Sequence, residues 1–219
     1  MYNKYLINIK KILLFAGLII ASSLSAFAQS TTFGIKAGIN FAQLHTSFSG
    51  SSSSVSTGSL TTFSAGAFAN IQFENFSILP GLNFTGRGAN ETEDNLRVKA
   101  NLYYLQLPVD VVYNVDIEPG VIYFGAGPYV AYGLSAKVKV SDSTSTQTQN
   151  VGFGSGEDKY KQIDAGANVV AGFRLDNGLL FSVNYAYGIT NISNVPGSKT
   201  TNRVFSVSVG YSFKSLNLF

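Results

Sequence analysis

The sequence predicts an all-β protein: an eight-stranded antiparallel up-and-down transmembrane β-barrel that follows a cleaved signal peptide. Three observations predict it. A basic and then apolar leader opens the chain, period-two alternation fills the remainder, and aromatic residues recur near both ends of the apolar strand faces. The composition agrees. Among 219 residues, 45% are hydrophobic and 12% are charged, the latter about half of what soluble domains carry. Seventeen Phe and 12 Tyr exclude a disordered chain, and the lack of Cys excludes disulfide scaffolds and thiolate metal sites.

Residues 1–28 read as the signal peptide. A basic n-region (1–11) precedes the apolar run 12–20, which is short for a membrane-spanning helix. Ala26 and Ala28 supply small residues at positions −3 and −1, so cleavage is expected between Ala28 and Gln29, leaving a barrel domain over 29–219. The formal charge of +3 belongs to this leader. Removing Lys4, Lys10 and Lys11 from 15 basic residues leaves 12 against 12 acidic ones, so the basic balance points to no nucleic-acid partner.

The eight strands are expected at about 31–44, 60–73, 76–85, 98–115, 121–135, 161–175, 179–190 and 203–214. Short connections (Glu74-Asn75, Asp116 to Gly120, Asp176 to Gly178) alternate with long polar ones at 45–59, 86–97, 136–160 and 191–202. In the first strand Phe33, Ile35, Ala37, Ile39 and Phe41 share one face, and Gly34, Lys36, Gly38 and Asn40 share the other. The second sets Phe63, Ala65, Ala67 and Ala69 against Ser64, Gly66 and Asn70. The fourth sets Leu105, Leu107, Val109 and Val111 against Gln106 and Asp110, and the eighth sets Phe205, Val207 and Val209 against Ser206, Ser208 and Gly210.

A soluble barrel of lipocalin type also alternates, but with its large apolar residues inside. The aromatic pairs argue for lipid. Phe33/Phe41, Phe63/Phe73, Phe76/Phe84, Tyr103/Tyr113, Phe124/Tyr132 and Phe205/Phe213 are eight or ten residues apart, so both members of each pair face one way. At about 3.3 Å per residue and a tilt near 40°, each pair spans roughly 20–25 Å, the height of an apolar band between two aromatic girdles. Lipid leaves an open sheet edge unsatisfied at several kcal/mol per group, so the sheet should close. The short turns should then face the periplasm, and the long loops the outside.

Within the fourth strand, Tyr104-Leu105-Gln106-Leu107-Pro108-Val109 resembles the Tyr-Leu-Glu/Gln-Ile/Leu-Pro motif of the PorT-like outer-membrane β-barrel (porin-family) proteins of the Bacteroidetes. Gly34 to Asn40, Phe124 to Val130, Tyr187 to Ile192 and Gly210 to Phe213 agree with that family in order and spacing. The resemblance implies an outer-membrane barrel of eight strands. It implies little about activity, beyond a link of the founding type to protein secretion. The tail Lys214 to Phe219 departs from the pattern, which leaves open whether Phe213 or Phe219 is read by the barrel assembly machinery.

No catalytic, cofactor or metal site is expected. The single histidine, His45, stands beside Ser residues without triad spacing and reads as a solvated loop residue. Glu91, Glu93 and Asp94 are expected to be a solvated acidic loop rather than a Ca²⁺ site. Gly152 to Gly156 lacks the Lys of a phosphate loop and is expected to be a flexible tip. The candidate lumen charges are Lys36, Asp110, Asp164 and Arg174, expected to pair as a plug or as a gate. Lys137, Lys139, Lys159 and Lys161 stand at the bases of the third long loop, where they read equally as contacts for lipopolysaccharide phosphates or as a solvated, screened set. The expected protein is a monomer among outer-membrane lipid, with a structural or surface-interaction role through its outer loops. A narrow pore and an accessory of a secretion or gliding apparatus are the alternatives.

Overall fold

The computed structural model describes residues 30–50, 54–93, 96–142 and 144–213. The leader with its Ala28/Gln29 site, Asp94 and the tail 214–219 lie outside the described residues.

Among the described residues ten strands run antiparallel: β1 (Ser30–Phe48), β2 (Ser54–Ser56), β3 (Leu60–Phe73), β4 (Phe76–Glu93), β5 (Leu96–Ile117), β6 (Gly120–Ser141), β7 (Thr146–Asn150), β8 (Ile163–Leu175), β9 (Leu179–Gly188) and β10 (Ser198–Ser212). Eight of them form the barrel in the order β10-β9-β8-β6-β5-β4-β3-β1, and β1 pairs with β10 to close it. Closure leaves no edge in the hydrocarbon layer. The two additional strands are short outer flaps, β2 on β1 and β7 on β6.

The expected faces are observed. Phe33, Ile35, Ile39 and Phe41 point outward and are about half exposed, whereas Gly34 and Asn40 are buried inside. The lipocalin alternative is thereby overturned, because the large apolar side chains coat the outside. The aromatics gather at two levels. Phe84 stacks on Tyr103 at 5.5 Å beside Phe63, and Phe41 stacks on Phe205 at 6.3 Å, near the long-loop end. Phe76 meets Tyr113 at 5.1 Å and Tyr113 meets Phe124 at 5.9 Å, near the short turns.

The three short turns occur where expected, and the long loops also lie where expected but are shortened by strand. The segment 86–97 is mostly strand, since β4 runs to Glu93 and β5 starts at Leu96. β1 extends to Phe48, β6 to Ser141, and β10 starts at Ser198. These extensions are polar on the outward side, and so read as loop in a search for apolar alternation. Their inward residues explain why they form strands. Ala89 of the β4 extension and Ala136 of the β6 extension join Ala42, Leu44, Leu102, Ala186 and Val204 in one buried apolar core.

Strand polarity therefore inverts along the axis. On β5 the outward residues are Leu105, Leu107 and Val109 below Tyr103, but Lys99 and Arg97 above it. The inward residues are Gln106 and Asp110 below, but Leu102 and Ala100 above. On β1 the outward row passes from Phe41 to Gln43 as the inward row passes from Asn40 to Ala42 and Leu44. A barrel in lipid is apolar outside, and a barrel in water is apolar inside. The inversion marks the outer membrane boundary.

Candidate functional site

The lumen has two layers. The outer one is built on Arg87, which β4 carries inward opposite Leu102 of β5. Arg87 is 1% exposed and forms a salt bridge with Asp164 of β8, itself 0% exposed. Arg87 Nη1 also donates to Tyr129 Oη at 3.2 Å, and Nη2 donates to Gln106 Oε1 at 2.6 Å. The guanidinium stands over the rings of Tyr129 at 4.7 Å and Tyr104 at 5.2 Å. Asp164 accepts further from Asn202 Nδ2 at 2.8 Å and Thr190 Oγ1 at 3.0 Å. A buried ion pair survives when most of its remaining donors and acceptors are met, and here four residues from three strands and one loop engage them, leaving Arg87 Nε without a partner.

The backbone beside Arg87 is specific. Gly88 has φ +134°, and a Cβ there would fall 1.8 Å from the Ala100 carbonyl oxygen, so only glycine lets the β4–β5 ladder continue past the arginine.

Above this layer the chain folds back over the mouth. The segment 151–162 lays Phe153 edge-on against Tyr104 at 5.3 Å and over Gly133, where any Cβ would strike the ring at 2.6 Å. Asn194 Nδ2 holds that segment by donating to the carbonyls of Gly154, Gly156 and Lys159 at 2.8–3.0 Å. Ile192, 0% exposed, completes the seal with Tyr160 packed alongside. The flexible tip expected at 152–156 is corrected: it is a docked cap, because Phe153 finds an apolar seat over a glycine.

The inner layer holds two small adjoining cavities of about 40 Å³ each that share Lys36, Pro108 and Asp110. Arg174, Asn70 and Tyr123 line the one toward the short turns. The Asp110 side chain is 5% exposed, and its Oδ1 has no hydrogen-bond partner.

The four candidate lumen charges are thus divided. Lys36, Asp110 and Arg174 line one chamber, whereas Asp164 lies in the outer layer. The expected pairing among the four is corrected, because the one salt bridge among the described residues joins Asp164 to Arg87. Sequence reading missed Arg87 by ending its strand at 85. The signal was present: Arg87 continues the inward parity of Asn83 and Thr85.

Other expected residues are dispersed. His45 lies on β1, with Nδ1 3.0 Å from Ser56 Oγ and no carboxylate in the pair. Glu91 Oε1 accepts from the Gly58 amide at 2.7 Å, and no cluster of three metal-ligating side chains occurs among the described residues. The four loop lysines separate, with Lys137 and Lys139 on β6 and Lys159 and Lys161 in the cap segment.

At the outer tip of the β6–β7 hairpin, Asp142 accepts from the amides of Thr144 and Ser145, each at 2.7 Å, and from both hydroxyls at 2.9 Å. These bonds, the amides first, hold its carboxyl down at about 2. Because the folded value is depressed from 3.8, the turn's stabilisation is complete above that pH and is lost as pH falls toward 2. Followed by NMR, the Ser145 amide should titrate with a midpoint near 2. A midpoint at 3.8 would show the turn open in solution.

A family model described as an outer membrane protein beta-barrel domain matches residues 27–194. The chain belongs to this family. No curated protein matches it. Among solved structures it is similar to Ail, the attachment invasion locus protein of Yersinia pestis, with 13% identity and a TM-score of 0.43 over 84% of this chain and 100% of that one. Neisserial surface protein A is similar at 16% identity and TM-score 0.46, covering 84% and 100%. OprG of Pseudomonas aeruginosa is similar at 15% identity and TM-score 0.35, covering 85% and 97%. This outer-membrane barrel carries a buried ion pair in its outer layer, above an inner layer where Lys36, Asp110 and Arg174 line small cavities.

Proposed function

We propose that this outer-membrane barrel works through its outer surface and as a structural element of the membrane, rather than as a conduit or an enzyme. One observation carries the reading: the outer half of the lumen is filled. The Arg87–Asp164 pair, the apolar core around Leu102 and the Phe153 cap occupy the space a solute would cross. What rises outside is folded strand, suited to presenting a fixed surface to a protein partner or to lipopolysaccharide. His45, with only a hydroxyl partner, gives no support to catalysis. On this reading the chain acts as a monomer after insertion by the barrel assembly machinery. The resemblance of Tyr104 to Val109 to the PorT-like motif supports a secretion or gliding accessory as one form of the same surface role.

The narrow pore is the second reading, favoured by the chamber that Lys36, Asp110 and Arg174 share. Planar-bilayer recording of the refolded protein separates the two. No discrete conductance is expected, and Asp110→Asn should leave the trace at baseline. Reproducible steps that change with Asp110→Asn would establish the pore instead.

A further inference from the structure

The strands β4, β5, β6 and β7 continue above the membrane boundary as a four-stranded sheet. Their register aligns the outward side chains in rows. One row is Asn90, Lys99, Lys139 and Thr148; the row nearer the membrane holds Asn101, Lys137 and Asn150; the row above holds Thr92, Arg97, Ser141 and Thr146. Four cations thus occupy one face. The carboxylates of this sheet, Glu91 and Glu93, have the opposite parity, and none of the four cations forms a salt bridge among the described residues.

Two features make this face more than a solvated edge. First, a register shift between Tyr103 and Tyr104 flips the parity of β6. Below it Tyr129, Ala131 and Gly133 face inward; above it Ala136 faces inward and Lys137 and Lys139 face out. Without that shift both lysines would enter the apolar core. Second, Lys99 and Lys139 are direct cross-strand partners. Like charges in such positions repel and destabilise a sheet unless an anion stands between them.

The position identifies the anion. Lys99 is four residues above Tyr103, whose ring belongs to the outer aromatic level. At about 3.3 Å per residue and a tilt near 40°, that is roughly 10 Å above the hydrocarbon boundary, where lipid headgroup phosphates lie. The face looks sideways over the leaflet, and lysine stems can lie along the sheet while their ammonium groups reach the phosphate level.

We propose that the outward face of β4–β7 is a lateral site for the phosphorylated headgroup of an outer-leaflet glycolipid. Lys99, Lys137 and Lys139 hold the phosphates, and the Asn and Thr side chains in the same rows hydrogen-bond the sugar. The proposal deepens the surface-acting reading above by naming the partner of one face. It does not depend on whether the lumen conducts.

The test uses the refolded protein in neutral detergent, titrated with fluorescent bis-phosphorylated lipid A and with its dephosphorylated form. The triple variant Lys99→Gln, Lys137→Gln, Lys139→Gln should bind the phosphorylated lipid at least about tenfold more weakly, since three charge-assisted contacts are lost. Lys159→Gln with Lys161→Gln, in the cap, should bind as wild type does. The thermal midpoint confirms folding and gives a second readout whose sign reverses. In neutral detergent the triple variant should melt above wild type, because repulsion is relieved; with phosphorylated lipid it should melt below. Equal binding of the two lipids, or wild-type binding by the triple variant, overturns the proposal. Equal competition by a soluble sulfated polysaccharide overturns its assignment to the leaflet. Conductance steps alongside intact lipid selectivity would remove the sealed-barrel reading and leave this site standing.

Discussion

Replacing Asp164 with alanine is expected to destabilise the barrel by about 3–5 kcal/mol, the cost of leaving one member of a buried ion pair without its partner. The variant strands a guanidinium that is 1% exposed and already has one unpartnered nitrogen, Nε. It also removes the acceptor of Asn202 and Thr190. Arg87→Ala should cost a similar amount by stranding the carboxylate. The double change Arg87→Met, Asp164→Leu should recover most of the loss, because apolar groups of similar volume extend the core of Leu102 and Ala136. Guanidinium unfolding in detergent, read as a double-mutant cycle, measures the coupling. A loss under about 1 kcal/mol for Asp164→Ala would mean that water reaches the pair, and the outer seal would then be open.

Leu107→Arg is the second large effect, expected to cost about 2–4 kcal/mol in a lipid bilayer. Leu107 lies midway between Tyr103 and Tyr113 on the outward face of β5 and is 56% exposed to the surroundings. An exposed leucine on a soluble protein tolerates arginine almost without cost, so the size of the loss reads out the lipid itself. Gln43→Arg is the control. Gln43 has the same outward orientation on β1 but stands above the inversion, where the same charge should cost about 0–1 kcal/mol. Equal small effects at both positions in vesicles would contradict the boundary drawn at Phe41 and Tyr103.

Much of this architecture was legible in the sequence because a strand in lipid has only one way to alternate. Phe33 to Phe41 must face one side, and a period of two fixes Lys36 and Asn40 on the other. The three short turns were legible for the same reason, being breaks between apolar runs. The outer ends of the strands were not, because alternation was sought with apolar residues outward. Beyond Thr85 on β4 the outward residues include Asn90 and Thr92, which in that search look like loop. Continuing the inward row (Arg87, Ala89) would have recovered that extension.

The candidate site shows the same division. Lys36, Asp110 and Arg174 were found because each is a charge on a polar face within a recognised strand, and they do share a chamber. Their partners were not legible. Arg87 and Asp164 are 77 residues apart, and whether they meet depends on strand order, stagger and the local bulge. The cap is a similar case, since nothing local in Gly152 to Gly156 announces that Phe153 will seat over Gly133 from another element.

The sequence by itself determined the export leader as an expectation, the barrel class, the lipid-facing residues and the placement of turns. All of these follow from nearest-neighbour periodicity and from the solvent each face must meet. Only the tertiary structure decided that the lumen is an ion pair and apolar core above a polar chamber, and that the outer lysines form rows on one face. Those depend on register across closed strands, where a shift of one residue between Tyr103 and Tyr104 turns Lys137 and Lys139 from the core to the leaflet.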